Sequence, residues 1–271
     1  MTSRTAALHR IGFIATLGAL AVSLLALALP RPATAAELRV FTTGAPAVAV
    51  RALAATFTAE SGMTFTFTVG QPATIAQKLA AGEPADIVIA PAPLIAALEQ
   101  TGTLRAGNST ALARVGIGVV VREGAPRPDI STPAAIRRLL IDARSIAWPD
   151  PATGGGFTGK WIARMVERMG IADAIKPKVT LAHAITGGVD LVADNKVEVG
   201  LFNISEILPI KGVTLVGPLP AELQSYIVFT AGIPAGSAGA DSAAAFIKMM
   251  ASAAARAAWI AAGMEPVGGG L

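Results

Sequence analysis

The sequence predicts an α/β fold whose sheets are largely parallel. Short segments rich in Val, Ile and Phe alternate with longer segments whose apolar residues recur at helical spacing, and Gly or Pro separates most of them. A strand, a helix and a further strand in succession usually place the two strands parallel in one sheet. Ligands of such folds bind beyond the carboxyl ends of the strands, so the turns that follow strands are the candidate sites.

The first part of the chain predicts three strands, each followed by a helix. Phe65 and Phe67 alternate with threonines, as in a half-buried strand, whereas Val50, Leu53 and Phe57 lie on one helical face. The strands are predicted over 38–42, 64–69 and 86–90. The helices are predicted over 47–60, 74–81 and 93–100, and the last two are followed by Gly82 and Gly102.

The rest of the chain continues the alternation. Strands are predicted over 115–121, 145–148, 179–181, 199–202, 213–216 and 226–230. Helices are predicted from a Ser131 N-cap to residue 143 with Pro133 in the first turn, up to residue 170 after a glycine turn, and over 188–194. A last helix is predicted over 241–262, and its apolar stripe comprises Phe246, Met250, Ala253, Ala257 and Ile260.

Residues 1–35 have the pattern of a secretory signal peptide. Arg4 and Arg10 precede an apolar run over 11–29, and Ala33-Thr34-Ala35 supplies a small-x-small cleavage site. The run is long enough that an uncleaved membrane anchor is the alternative. The chain contains no Cys, which excludes a lipidated Cys, disulfides and thiol chemistry. We therefore expect a periplasmic protein that is soluble after cleavage.

The charge of the expected mature chain is close to neutral. Removing Arg4, Arg10 and Arg31 from the 22 basic residues leaves 19 against 18 acidic ones. No cluster of Lys and Arg is interleaved with aromatic residues, so a nucleic-acid partner is not expected. The remaining 236 of 271 residues suffice for one large or two small domains.

The glycine-rich stretch over 145–170 predicts an anion-binding turn between a strand and a helix. The first N–H groups of a helix lack intrahelical partners, and Gly155 and Gly156 let a ligand approach the backbone closely. The stretch also fits two nucleotide-binding patterns, but Trp161 stands where a P-loop needs Ser or Thr, and no acidic residue follows at the dinucleotide spacing. The alternative is a tight turn that binds nothing.

The turns after the predicted strands supply the candidate ligand contacts. They offer hydroxyls, amides and free N–H groups but no pair of nucleophile and base, which favours binding over catalysis. We expect no catalytic residue, no metal and no cofactor. The candidate contacts are Thr43, Gly44, Gln71, Thr74, Pro91, Arg114, Thr153, Gly155, Gly156, Phe157, Thr158 and Asn203.

Several segments in order resemble a known family over essentially the whole mature chain. They are L-R-V-F-T-T-G, G-E-P-A-D-I-V-I-A, R-V-G-I-G-V-V-V, D-P-A-T-G-G-G, V-G-P-L-P-A-E-L-Q and the closing A-F-I-K-M-M and G-M-E-P. The chain is similar to molybdate-binding-protein-like substrate-binding proteins of ABC transporters. The resemblance implies a two-lobed type II periplasmic binding protein, a monomer that delivers a small anion to a membrane permease.

The resemblance also implies the division into lobes. Each lobe would be a mainly parallel sheet flanked by helices, with residues 36–115 and 228–271 in lobe 1 and 116–227 in lobe 2. The chain would cross between the lobes near 115–121 and 226–230, and the lobes would close on the ligand by a hinge motion.

The residues leave the nature of the anion open. Proteins of the family that bind molybdate usually place Ser after the first strand, where this chain has Thr43 and Gly44. Neutral donors such as Thr43, Gln71 and Thr158 could still hold a tetrahedral oxyanion. A small organic carboxylate would recruit Arg114, which could equally be a solvated surface residue. An exported hydrolase is the remaining alternative; a single mature His and no G-x-S-x-G motif count against it.

Overall fold

The computed structural model describes residues 37–152, 156–182 and 188–267. The predicted signal peptide, the candidate contacts Thr153 and Gly155, and His183 lie outside these residues.

Strands and helices alternate along the described chain as predicted. The strands are β1 Glu37–Thr43, β2 Thr64–Gly70, β3 Ile87–Pro91, β4 Thr110–Arg122, β5 Ile146–Pro149, β6 Val179–Ala182, β7 Val199–Asn203, β8 Val213–Pro218, β9 Tyr226–Gly232 and β10 Glu265–Pro266. The helices are α1 Gly44–Ser61, α2 Pro72–Ala80, α3 Ala92–Gln100, α4 Pro133–Asp142, α5 Gly156–Arg168, α6 Ala172–Ile175, α7 Gly188–Ala193, α8 Ile204–Ile207, α9 Ala240–Met250 and α10 Arg256–Ala261. Short 3-10 turns occupy Lys176–Lys178 and Ala253–Ala255.

The strands form one mixed sheet in the order β2-β1-β3-β9-β4-β7-β5-β6, and β8 and β10 also pair with β4. We call β1, β2, β3, β9, β10 and the start of β4 up to Gly116 the first half. We call the rest of β4 with β5, β6, β7 and β8 the second half. The α/β class is confirmed, and the parallel pairs are the outer ones, whereas every pair that includes β4 or β9 is antiparallel.

The two halves use the same pairing scheme. In the first half, β1 is parallel to β2 and β3, and β9 lies antiparallel between β3 and β4. In the second half, β5 is parallel to β6 and β7, and β4 lies antiparallel between β7 and β8. β4 therefore belongs to both halves.

The carboxyl ends of the parallel strands in the two halves point toward the same level of β4. β3 runs in the direction of β4 and β7 runs against it, as their pairings require. The end of β3 at Pro91 is level with Ala113, since both lie opposite Phe229. The end of β7 at Asn203 lies opposite Ile117. Only four residue steps, or ~13 Å of extended strand, separate these levels.

Alternating side chains of the strands build a separate core on each face of each half. In β1, Leu38 and Val40 pack toward α1 and α9, whereas Phe41 packs with Ile75 of α2 on the other face. In β4, Ile117, Val119 and Val121 enter one core of the second half and Val120 enters the other. The period of two places apolar groups on both faces, as a sheet covered by helices requires.

The predicted last helix is broken after Met250. Phe246 and Met250 are buried as predicted, but Ala253, Ala257 and Ile260 are exposed, and Trp259 is buried instead. The break resets the helical phase so that the large Trp259 ring fills the core, where its Nε1 donates to the Met250 carbonyl at 2.9 Å. Within the described ranges, no single helix is long and apolar enough to cross a membrane; only a pair that is bent by 64° passes that test together.

The predicted N-cap of α4 is displaced by one residue. Thr132 is the N-cap, and its hydroxyl accepts a hydrogen bond from the Ala135 N–H at 3.1 Å. The Ser131 hydroxyl donates instead to the Asp129 carboxylate at 2.7 Å. The α4 cap is therefore made by Thr132, one residue after the predicted position.

Candidate functional site

Three helices of the first half begin directly at the carboxyl ends of β1, β2 and β3. Their N-cap residues are Thr43, Gln71 and Pro91, and none makes a capping hydrogen bond with its side chain. The first turns of α1, α2 and α3 contain no acidic residue. Uncapped N–H groups and the positive ends of three helix dipoles therefore lie at this edge of the sheet, where they favour an anion.

The Thr43 hydroxyl is buried at this edge without a partner. Thr43 is 5% exposed, and its Oγ1 has no hydrogen-bond partner among the described residues. A buried polar group left unsatisfied costs about 1–3 kcal/mol. A hydroxyl retained at that cost points to a ligand contact, because buried polar groups in proteins are otherwise hydrogen-bonded.

The structure brings the other predicted contacts of the first half to the same edge. Gly44 is exposed, and a Cβ added there would meet nothing within 4 Å, so the start of α1 is open to close approach. Gln71 and Pro91 are half-buried, and Thr74 is exposed in the first turn of α2. These residues all follow the ends of neighbouring strands, as predicted from the alternation alone.

In the second half, α5 begins tightly against the end of β5. A Cβ added at Gly159 would lie 2.1 Å from the Pro149 carbonyl oxygen, so only Gly fits there. This close packing accounts for the third glycine of the nucleotide-like pattern without any nucleotide. Phe157 in the first turn of α5 is 55% exposed, whereas Thr158 is 2% exposed.

A chain of three polar side chains joins α5 to the end of β7. The Thr158 hydroxyl donates to Asn203 Oδ1 at 2.9 Å, and Asn203 Nδ2 donates to Glu206 Oε1 at 3.0 Å. Asn203 is the N-cap of α8, and Glu206 is its third residue. The Glu206 carboxylate also accepts from the Asn203 backbone N–H, which is one of the two bonds of a capping box; the Asn203 side chain makes no capping bond of its own.

The Glu206 carboxylate has an unusual environment for a surface helix. Burial raises the pKa of Glu206, and the two hydrogen bonds from Asn203 only partly offset that effect. The residue nevertheless remains half-buried and in contact with solvent. The sequence analysis missed Glu206, although Asn203-Ile204-Ser205-Glu206 has the spacing of a capping box and could have indicated it.

Two further buried polar atoms at this edge lack partners among the described residues. They are the Ser205 hydroxyl in the first turn of α8 and the indole Nε1 of Trp148 near the end of β5. The ring of Trp148 packs in the core of the second half. Its N–H, like the Ser205 hydroxyl, is a polar group at the carboxyl end of a strand.

Arg114 is engaged by other protein groups. Its Nη2 and Nε lie 2.7 and 2.8 Å from Glu265 Oε2, and its guanidinium lies 3.9 Å above the Tyr226 ring. Burial, with the nearby Glu265 carboxylate, raises the pKa of the Tyr226 hydroxyl. Since the charge of Arg114 is already compensated by Glu265, its role as a ligand contact stays a prediction.

Gln224 holds β4 where it passes from the first half to the second. Its side-chain amide accepts from the Ile117 N–H at 2.8 Å and donates to the Ile117 carbonyl at 3.0 Å. Gly116 leaves room for this contact, because a Cβ there would lie 3.0 Å from Gln224 Nε2. The side chain thus replaces a strand partner at the level of the candidate site.

Two surface cavities of the described chain are lined by none of the predicted ligand contacts. One, of about 300 Å³, is lined by Pro133, Ala134, Arg137, Met165, Arg168, Met169, Glu222 and Leu223. The other, of about 460 Å³, is lined by Asn108, Thr110, Ile233, Ala244, Ile247, Lys248, Ala251 and Ser252. No three His, Asp or Glu residues of the described ranges are grouped as a metal site.

The family comparison covers nearly the whole described chain. The family model of bacterial extracellular solute-binding proteins matches residues 38–265. An aconitate isomerase from Pseudomonas sp. is 28% identical over 186 residues, which are 68% of this chain and 69% of that protein.

Solved structures share the fold. A substrate-binding domain assigned to a molybdenum ABC transporter of Clostridium difficile has a TM-score of 0.74 at 16% identity, covering 86% of this chain and 99% of that one. The periplasmic molybdate-binding protein of Azotobacter vinelandii has a TM-score of 0.65 at 20% identity, covering 84% and 98%. The predicted likeness and the type II fold class are confirmed.

Proposed function

The chain belongs to the family of bacterial extracellular solute-binding proteins, and we propose that it is a periplasmic receptor that captures a small anion for an ABC permease. The single observation that carries this proposal is the buried Thr43 hydroxyl at the start of α1, which has no partner in the part of the chain that the structure describes. It lies among three uncapped helix N-termini, which supply positive potential without a charged side chain.

The proposed binding cleft lies between two lobes with the predicted boundaries, 36–115 with 228–271 and 116–227. The opposed strand directions support this division, because they bring the carboxyl ends of both halves to one level of β4. The two hydrogen bonds between Gln224 and the Ile117 backbone are proposed to hold β4 at the hinge between the lobes. Cleavage of residues 1–35 would release the monomer into the periplasm.

The proposed contacts follow the two walls. Thr43, Gly44, Gln71, Thr74 and Pro91 form the first wall. The start of α5 with Gly156, Phe157 and Thr158, together with Asn203, forms the second, and Thr153 and Gly155 belong to its predicted loop.

The class of anion has two candidates. A molybdate-like oxyanion is supported by the two solved structures of similar fold, which belong to proteins named for molybdenum and molybdate. A small organic carboxylate is supported by the relative that is named for an organic acid.

An enzymatic role is a second candidate function, favoured by that same relative and by Glu206. An isomerase of unsaturated acids needs a group that takes a proton from one carbon of the substrate and returns it to another. A carboxyl whose pKa is raised at a ligand edge is suited to both steps. Incubation with cis- or trans-aconitate, followed by chromatographic separation, tests this role; unchanged substrate at micromolar protein would rule it out for these acids.

A thermal-shift screen of residues 36–271 tests the receptor role. The panel contains molybdate, tungstate, sulfate, phosphate, and mono-, di- and tricarboxylic acids. A ligand present at 100 times its Kd should stabilise the protein by about 2.7 kcal/mol, which gives a clear rise in Tm. If no anion of the panel shifts the Tm, the receptor role is wrong for these classes.

A further inference from the structure

The second wall of the proposed cleft contains an acidic group beside the place of a bound anion. Glu206 lies in the first turn of α8, which begins at the carboxyl end of β7, and because β7 runs against β3 this end faces the carboxyl ends of the first half. Among the described residues, no Lys or Arg forms an ion pair with it. Its hydrogen-bond partners are the backbone and side-chain N–H groups of Asn203.

The neighbours of Glu206 fix its carboxylate as an acceptor. Asn203 can donate to Glu206 only while its Oδ1 faces Thr158, and the buried Thr158 hydroxyl holds it in that orientation. The Asn203 amide oxygen and the Thr158 hydroxyl are therefore already hydrogen-bonded to each other. This wall therefore carries a carboxylate acceptor at Glu206, beside the Ser205 hydroxyl and the Trp148 indole N–H, which have no partner among the described residues.

A carboxylate in this position would discriminate between anions that carry a hydrogen-bond donor and anions that carry only acceptors. Molybdate and sulfate carry only acceptor oxygens when fully deprotonated, so their oxygens and the Glu206 oxygens would repel one another at short range. An anion that also carries a hydroxyl can donate to Glu206 and relieve this repulsion. Leaving the acceptor unpaired in a closed cleft would cost binding free energy.

We propose that Glu206 makes the cleft selective for anions that carry a hydrogen-bond donor, with hydroxy acids as the organic class and monohydrogen phosphate as the inorganic one. This inference rests on the proposed receptor function. The acidic end of the ligand would lie at Thr43 and the uncapped helices, and its hydroxyl would donate to Glu206.

A purely structural role of Glu206 is the competing explanation, since it also caps α8. A capping box accepts Gln in place of Glu, so Glu206→Gln keeps the cap and removes the charge. The variant should therefore fold, and its anion preference reports on the charge alone. Glu222→Gln, which neutralises an exposed carboxylate in the cavity that Arg137 also lines, is the matched control.

The experiment measures Kd by calorimetry for anions paired by a single hydroxyl. The pairs are lactate with propionate and malate with succinate; phosphate with sulfate is the inorganic arm, and molybdate is added alone. For the wild type, we expect the donor-bearing member of one pair to bind at least 10-fold more tightly. In Glu206→Gln the ratio of the two Kd values within that pair should fall about 10-fold, and molybdate or sulfate should bind about 10-fold more tightly. The Kd values of Glu222→Gln should match those of the wild type.

The outcomes separate this inference from the receptor role. If the wild type binds anions and Glu206→Gln leaves every ratio unchanged, Glu206 is only a cap and the inference is wrong. If the wild type binds molybdate tightly and prefers it to every hydroxylated anion, the inference is also wrong while the receptor role stands. If the wild type binds none of these anions, both proposals fail together.

Discussion

The two halves of the molecule repeat one pairing scheme but differ in the chemistry of their strand ends. The first half leaves three helix N-termini without side-chain caps and buries the Thr43 hydroxyl without a partner. The second half places its own carboxylate, Glu206, at the start of α8. This difference is the basis of the division of roles that we propose, in which the first half attracts an anion and the second half selects among anions.

Among our predictions, glycine substitutions near the helix starts should give the largest difference in unfolding free energy between the two halves. Gly159→Ala forces a Cβ to within 2.1 Å of the Pro149 carbonyl oxygen, so we expect a loss of about 3 kcal/mol in unfolding free energy. Gly44→Ala meets no atom within 4 Å and lies in a helix, so it should be neutral or stabilising by up to about 1 kcal/mol.

Chemical denaturation of the two variants beside the wild type measures both effects. Equal stability of the Gly159→Ala and Gly44→Ala variants would contradict the tight contact between α5 and the end of β5. Gly44→Ala should in addition weaken anion binding, because its methyl group enters the open edge of the first wall.

The buried carboxylate of the first half serves stability rather than binding. Asp86 is 1% exposed and accepts from the Arg39 backbone and guanidinium and from the Ser237 hydroxyl. Burial alone would raise the pKa of Asp86, but these hydrogen bonds outweigh it and hold the pKa below its usual range. Asp86→Asn should cost about 2 kcal/mol at pH 7, whereas Glu83→Gln, which breaks an exposed ion pair, should cost less than about 1 kcal/mol.

The same residue predicts the acid sensitivity of the fold. A carboxyl whose pKa is lower in the folded state stabilises the protein above its unfolded pKa, and this contribution is lost as the pH falls through the folded pKa. The stability gap between the wild type and Asp86→Asn should therefore be constant above about pH 5 and shrink below about pH 4. Denaturation curves at several pH values measure it, and a gap that widens in acid would contradict the assignment.

Arg114→Ala should have the smallest effect. Arg114 and Glu265 are both partly exposed, so removing their ion pair and the contact to Tyr226 should cost no more than about 1 kcal/mol of stability. Because the guanidinium is already paired, anion binding should be unchanged in calorimetry. A selective loss of carboxylate binding would instead indicate that Arg114 contacts the ligand and that the ligand is an organic acid.

The sequence could predict the strand ends because their signals are local. Alternating apolar residues indicate β1 and β2, a short apolar run indicates β7, and the rule that ligands bind after strands points to Thr43, Gln71 and Asn203. The antiparallel pairs of β4 and β9 are contacts between distant segments, which no local pattern encodes. The ion pair between Arg114 and Glu265 also joins distant segments, 151 positions apart, so no local pattern indicates it.

Two misses have physical causes of their own. The uninterrupted Ala-rich pattern of the last helix hides the break after Met250, because only the burial of Trp259 decides the phase of the second piece. Glu206 is not among the contacts predicted from the sequence. Its capping-box spacing was present in the sequence, but the burial that raises its pKa depends on the fold.

The calorimetric Kd of Thr43→Val tests the central claim most directly. Valine keeps the shape of threonine and removes the hydroxyl, which has no partner among the described residues. The control is Thr64→Val at the amino end of the neighbouring strand β2, which is the end away from Thr43. With the anion that stabilises the wild type most, Thr43→Val should bind at least about 10-fold more weakly at unchanged or slightly higher stability, and Thr64→Val should bind like the wild type. Wild-type affinity in Thr43→Val would contradict the account.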